Sequence, residues 1–156
     1  MGNLLRDLKI TRLTFDGTNY LKTAGTTDSL DSDALDMADW DGVLFILTTG
    51  DNADTAVLTM EVEGCATSGG SYTEYDTDAA STFTCGATSG DYKQLAIDVY
   101  QPTARYLKVQ TTRATANVVL QSLLAIQYNG KKLPVVQAVT AGQFMVLPTY
   151  SISPAT

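Results

Sequence analysis

A chain of 156 residues with 44% hydrophobic content is long enough to bury one sizeable core without metals or disulfide staples. Its 17 acids against 10 bases give a net charge of −7, which argues against nucleic acid as a partner because phosphate binding needs a basic surface. The sequence contains no histidine, so the commonest general base and metal ligand is missing and no Ser-His-Asp triad can form within one chain.

Charge is unevenly spread. Residues 23–92 hold 14 acids and no base, whereas residues 93–156 hold six bases and one acid, Asp98. If the halves form different surfaces, like subunits can meet acidic to basic. No run approaches 18 apolar residues, and residues 1–7 lack the apolar centre of a signal peptide. Synthesis in a cytosol without export, and no membrane partner, are the expectations.

In chain order, residues 1–22 read as an N-terminal strand or arm with four of the ten bases, Arg6, Lys9, Arg12 and Lys22, and a turn at residues 16–19. Residues 23–132 read as the core of an all-β fold. Within it, residues 27–39 are strongly acidic, and a short helical turn capped by Asp28 or Asp31 fits the interspersed Leu30, Ala34, Leu35 and Met37. Asp28, Asp31, Asp33 and Asp36 are candidate calcium ligands, since clustered carboxylates suit a hard cation, although the spacing fails the EF-hand pattern. Solvated, mutually repelling carboxylates explain the same run without a metal.

Residues 40–48 predict a strand apolar on both sides, with Val43, Phe45 and Leu47 one way and Trp40, Leu44 and Ile46 the other. Residues 56–63 alternate cleanly, Ala56, Leu58, Met60 and Val62 against Val57, Thr59, Glu61 and Glu63, and the two stretches read as an antiparallel hairpin. Residues 66–90 turn rich in Ser, Thr, Gly, Asp and Tyr, the composition of loops and short edge strands, with Tyr72, Tyr75 and Phe83 as anchors. Cys65 and Cys85 could pair across neighbouring strands, but a cytosolic product keeps such thiols reduced, and two cysteines without histidine make no zinc site.

Three further strands follow. Leu95, Ile97 and Val99 alternate with Ala96, Asp98 and Tyr100, and after a turn at residues 101–104 Leu107 and Val109 point inward. Residues 112–117 form a polar break. Then Val118, Leu120, Leu124 and Ile126 share one face, with Val119, Leu123 and Ala125 on the other, the pattern of a central strand or one facing a partner subunit. Asn129-Gly130 predicts a turn. Residues 133–156 carry no charged side chain, and a last core strand near residues 143–147, which include Phe144 and Met145, followed by a tail with contacts, is expected.

Chemistry finds little purchase. Asp98, Glu61 and Glu63 lie on strand positions that alternation turns toward water, so a carboxylate pair for glycoside cleavage is not expected. Arg105 shares the parity of Leu107 and Val109, which predicts a partly buried ion pair or an intersubunit bridge, and Arg113 is expected to anchor the following break or meet a partner. No glycine-rich loop joins a strand to a helix. Neither cofactor nor enzymatic activity is expected.

Asp41-Gly42-Val43-Leu44-Phe45-Ile46, the stretch from Pro102 to Val109, Thr112-Arg113-Ala114-Thr115-Ala116-Asn117, and Ile126 through Pro134 resemble the head decoration, or cement, proteins of tailed bacteriophages. The resemblance spans about residues 40–135. It implies an antiparallel, jelly-roll-like β-sandwich without catalytic residues. A structural virion protein of this kind sits on the outer surface of the capsid, often as a trimer, and binds the major capsid protein to clamp capsomers. Arg6, Lys9, Arg12, Arg105, Arg113, Phe144 and Met145 are then the interface candidates, through many modest contacts.

The rival reading is a carbohydrate-binding β-sandwich. Arg105-Tyr106-Leu107-Lys108-Val109 is similar to the penultimate strands of galactose-binding-like modules. That function needs aromatics at a concave face with an Arg and an Asp, and Trp40, following the acidic run, is expected in the core instead.

Overall fold

The computed structural model of the protein describes residues 7–75, 81–84, 91–132 and 135. The described strands, in order, are β1 (Lys9–Leu13), β2 (Lys22–Gly25), β3 (Asp28–Asp31), β4 (Leu35–Asp36), β5 (Trp40–Thr49), β6 (Val57–Cys65), β7 (Thr73–Glu74), β8 (Ser81–Thr84), β9 (Gln94–Tyr100), β10 (Tyr106–Ala114) and β11 (Val118–Gly130). They form two antiparallel sheets packed as a jelly-roll-like β-sandwich. Sheet A runs β1-β11-β5-β9, with β2 also on β11, and sheet B runs β3-β10-β6-β7, with β4 on β10 and β8 on β6. No helix among the described residues is long and apolar enough to cross a membrane.

Alternation decides what each strand buries. Val43, Phe45 and Leu47 of β5, Leu95 and Val99 of β9, Leu58, Met60 and Val62 of β6, and Leu107 and Val109 of β10 meet between the sheets, as their period of two predicts. Phe15, Met37 and Ala56, from connections, close the ends of this layer. The sequence period therefore identifies nearly all of the inner face.

Five expectations need correction. Residues 40–48 and 56–63 do not form a hairpin: β5 lies between β11 and β9 in sheet A, while β6 lies beside β10 in sheet B. The connection at residues 50–56 crosses between sheets, and β5 is apolar on both sides because it is a central strand. The acidic stretch contains no helical turn, since Asp28 to Asp31 pair with Gln110 to Arg113 and Leu35-Asp36 with Tyr106-Leu107. The polar break at residues 112–117 begins later than expected, because β10 continues through Arg113 to Ala114.

The fourth correction concerns β11. Its register against β5 shifts between Leu120 and Ser122, so one extra residue enters the strand as a bulge. Parity flips there. Val118 and Leu120 point inward, but so do Leu123, Ala125 and Gln127, while Leu124 and Ile126 turn to the outer face of sheet A. Asn129-Gly130 makes no hairpin turn either; Asn129 takes a φ of 53° at the end of β11 while Gly130 still pairs with Trp40.

Candidate functional site: a cleft at one end of the sandwich

At the end of the sandwich where β4 leads into β5, β9 turns into β10, and β11 finishes, the chain leaves an open cleft of about 370 Å³. Its walls are Met37, Ala38, Trp40 and Asp41 from one side, residues 101–105 from another, and Lys131 from the third. The set joins one large aromatic ring to a carboxylate, an amide, a guanidinium and an ammonium group.

Main-chain hydrogen bonds hold the walls together. Gln101 N–H donates to the Asp41 carbonyl at 2.6 Å, Met37 N–H to the Arg105 carbonyl at 2.8 Å, and Lys131 N–H to the Asp39 carbonyl at 2.9 Å. Gln101 itself is left-handed, with φ 50°, an uncommon conformation for a non-glycine residue that the turn before Pro102 imposes. Thr103 N–H donates to the Tyr75 hydroxyl at 2.8 Å, tying the same turn to the loop beside β7. The cleft is thus preorganised by three connections rather than by one flexible loop.

Arg105 grips Asp36 with two bonds, Nε to Oδ1 at 3.0 Å and a terminal nitrogen to Oδ2 at 2.9 Å. This pair, together with the Ala38 N–H that donates to the same carboxylate, holds the Asp36 carboxyl below the usual carboxylate range, with burial opposing. The guanidinium also lies 5.0 Å from the centre of the Tyr106 ring. Beneath the floor, the fully buried Gln127 side chain donates from Nε2 to the Asp36 carbonyl at 2.9 Å and to Met37 Sδ at 3.4 Å. Nothing in the alternation of β11 announced Gln127, because a lone amide in an apolar strand reads as an outward position.

Trp40 is half-buried and packs against the core, yet its ring also lines the cleft. The six-membered ring rests on Gly130, where an added Cβ would come within 2.9 Å of it. Only glycine permits this approach, so the strand pair Trp40 and Gly130 sets the indole at the cleft wall. A purely core role for Trp40 is therefore corrected.

The sequence-derived candidates scatter. Asp28 binds Arg113, Asp36 binds Arg105, Asp31 accepts from Gln110 at 3.1 Å on the outer face of sheet B, and Asp33 sits exposed in a connection. These four carboxylates do not converge, and no group of three or more metal-ligating side chains forms among the described residues. Arg105 does form an ion pair, but it precedes β10 and is exposed rather than partly buried. Arg113, expected in a loop or at a partner, is instead 3% exposed inside the sandwich. Lys9 lies in β1, and Arg12 turns outward, donating to the Tyr20 carbonyl at 3.1 Å. Cys65 carries a free thiol. Arg6, Cys85, Phe144, Met145 and the strand expected at residues 143–147 lie outside the described residues.

No protein-family model matches the chain, and no curated protein matches it. Solved structures similar to it include a carbohydrate-binding module described as CBM4, at 9% identity and a TM-score of 0.47 over 76% of this chain and 78% of that one. A second is the CBM36-1 domain of a multidomain xylanase from the hindgut metagenome of Trinervitermes trinervoides, at 11% identity and a TM-score of 0.42 over 80% of this chain and 99% of that one. A third is a CBM28 module specific for non-crystalline cellulose, at 12% identity and a TM-score of 0.37 over 81% of this chain and 80% of that one. Identities this low carry no residue roles to the present chain. The expectation of a phage head decoration protein is corrected: these three similar structures are carbohydrate-binding modules, not capsid proteins. The peptide stretches that suggested it are packing and turn segments that any antiparallel sandwich uses, which is why they misled.

Proposed function

We propose that the chain is a non-catalytic carbohydrate-binding module that receives a sugar in the end cleft. The observation that carries this reading is the convergence of the Trp40 ring with Asp41, Gln101, Arg105 and Lys131 on one preorganised cleft. A sugar ring has an apolar face of C–H groups and a rim of hydroxyls. The first packs on an aromatic surface and the second bonds to planar polar side chains. A volume of about 370 Å³ accommodates one or two sugar rings and lies within the range of small-ligand pockets.

Trp40 is the single tryptophan of the sequence, so its emission reports on the cleft directly. Glycan-array binding by the full chain, followed by titration of each soluble hit against tryptophan fluorescence, should give a saturable change. Trp40→Ala should weaken binding at least tenfold, about 1.4 kcal/mol. Because Trp40 also packs on the core, Gln101→Ala provides a second variant that leaves the packing intact. An array without hits, or hits that bind without altering Trp40 emission and survive Gln101→Ala, would end the proposal.

A further inference from the structure

Among the described residues, three buried side-chain oxygens have no protein hydrogen-bond partner: Thr11 Oγ1, Thr14 Oγ1 and Gln127 Oε1. A polar atom buried in this way is costly, so each calls for a physical account. Two of the three are neighbours. Across β1 and β11, Lys9 stands opposite Gln127, Thr11 opposite Ala125 and Leu13 opposite Leu123. Leu123, Ala125 and Gln127 are fully buried between the sheets, so Thr11 shares their face and lies on the diagonal from Gln127.

What the Gln127 amide touches fixes its orientation. The Asp36 carbonyl can only accept, so it faces Nε2 at 2.9 Å, and Met37 Sδ takes the same group at 3.4 Å. Oε1 is therefore the atom left over, an acceptor in need of a donor. Thr11 offers a hydroxyl, yet the two oxygens make no direct bond. Diagonal β-carbons on one face of an antiparallel pair stand roughly 7 Å apart or less, a gap that one water fills once the glutamine arm is extended. Ala125, opposite Thr11 and two residues before Gln127, is the smallest inward side chain of β11 and leaves the room.

We propose that one ordered water is bound between Thr11 Oγ1 and Gln127 Oε1 as an internal part of the fold. The Thr11 hydroxyl donates to the water, and the water donates to Gln127 Oε1. Held from both sides, the amide keeps Nε2 on the Asp36 carbonyl, behind the cleft wall that Met37 and Ala38 form. The site stands apart from whatever the cleft receives, since neither Thr11 nor Gln127 lines the cleft.

Thr11→Val in the full chain tests the proposal, because a shared water and a merely unpaired oxygen give opposite signs. Valine keeps the shape of threonine without the hydroxyl. Removing an unpaired oxygen would raise the urea midpoint, whereas taking one anchor from a shared water should lower it by roughly 0.5 M. In the Gln127→Met background the water has already lost its other anchor, and there Thr11→Val should raise the midpoint instead. A crystal structure of the natural chain at atomic resolution should show a water within hydrogen-bond distance of both oxygens, and it decides the matter if Gln127→Met fails to fold. A midpoint raised or unchanged by Thr11→Val in the natural chain overturns the proposal. So does an equal fall in both backgrounds, or a crystal in which no water touches both oxygens.

Discussion

Arg113 and Asp28 form a two-pronged ion pair in which the arginine is 3% and the aspartate 35% exposed. Arg113 Nε and one terminal nitrogen donate to the carboxylate, while Nη1 donates to the carbonyls of Thr23 and Val118, both at 2.9 Å. One guanidinium therefore ties β10 and β3 of sheet B to the segments of β2 and β11 in sheet A. Gly25 lies against it so closely that a Cβ there would overlap the guanidinium. Removing the arginine leaves two carbonyls and a half-buried carboxylate without their donor. Arg113→Ala is expected to cost about 3–5 kcal/mol in chemical denaturation. A loss below about 1 kcal/mol would mean that water replaces the side chain without penalty.

The Asp36–Arg105 pair predicts an acid-sensitive cleft wall. The Asp36 carboxyl titrates below its ordinary value of 3.8 in the fold, chiefly through its hydrogen bonds to Arg105. A depressed carboxylate pKa contributes stability that is fully present above the ordinary value and is lost as pH falls through the folded one. The stability difference between the natural chain and Asp36→Asn should therefore shrink as the pH drops below about 4. Urea midpoints measured down the acid range read this directly, and a difference that stays constant would contradict it.

At the alkaline end, Tyr128 is the sensitive group. Burial, then its 2.8 Å hydrogen bond to Asp98, pushes its hydroxyl from 10.0 up to about 12. The ring lies over Gly42, where any Cβ would collide with it. A raised tyrosine pKa contributes stability below 10 that is lost as pH rises toward the folded value of about 12. Difference absorbance between the natural chain and Tyr128→Phe should show one tyrosinate forming late, and Asp98→Asn should bring that step to lower pH. An ordinary titration near 10 for this group would refute the account.

Thr115 offers a stabilising change. It sits at φ 73° between Ala114 and Ala116, whose N–H donates back to the Ala114 carbonyl at 2.9 Å, a tight turn strained for a β-branched residue. Thr115→Gly should relieve about 1 kcal/mol, partly offset by the greater freedom of glycine in the unfolded chain. A rise of a few degrees, at most about 4 °C, is expected in thermal unfolding. A fall in midpoint would show that the threonine side chain contributes more than its backbone strain costs.

Much was legible from local pattern. The alternation of Val43, Phe45 and Leu47, of Leu58, Met60 and Val62, and of Leu95, Ile97 and Val99 identified strands and their buried faces, because the side-chain period of a strand is a property of the chain itself. Partner choice was not legible. Nothing local states that β5 pairs β11 and β9 while β6 leaves for the other sheet, since pairing is chosen by contacts far apart in sequence.

The site shows the same division. The amino-acid order alone determined an acidic, histidine-free, all-β chain with its inner faces already marked, because composition and period need no partner to be read. Only the tertiary structure decided that Trp40 would meet Asp41, Gln101, Arg105 and Lys131 at one end, that Arg113 would be sealed inside against Asp28, and that a bulge near Gln121 would turn Leu124 and Ile126 outward. Each depends on register between distant strands, where a slip of one residue exchanges inside for outside.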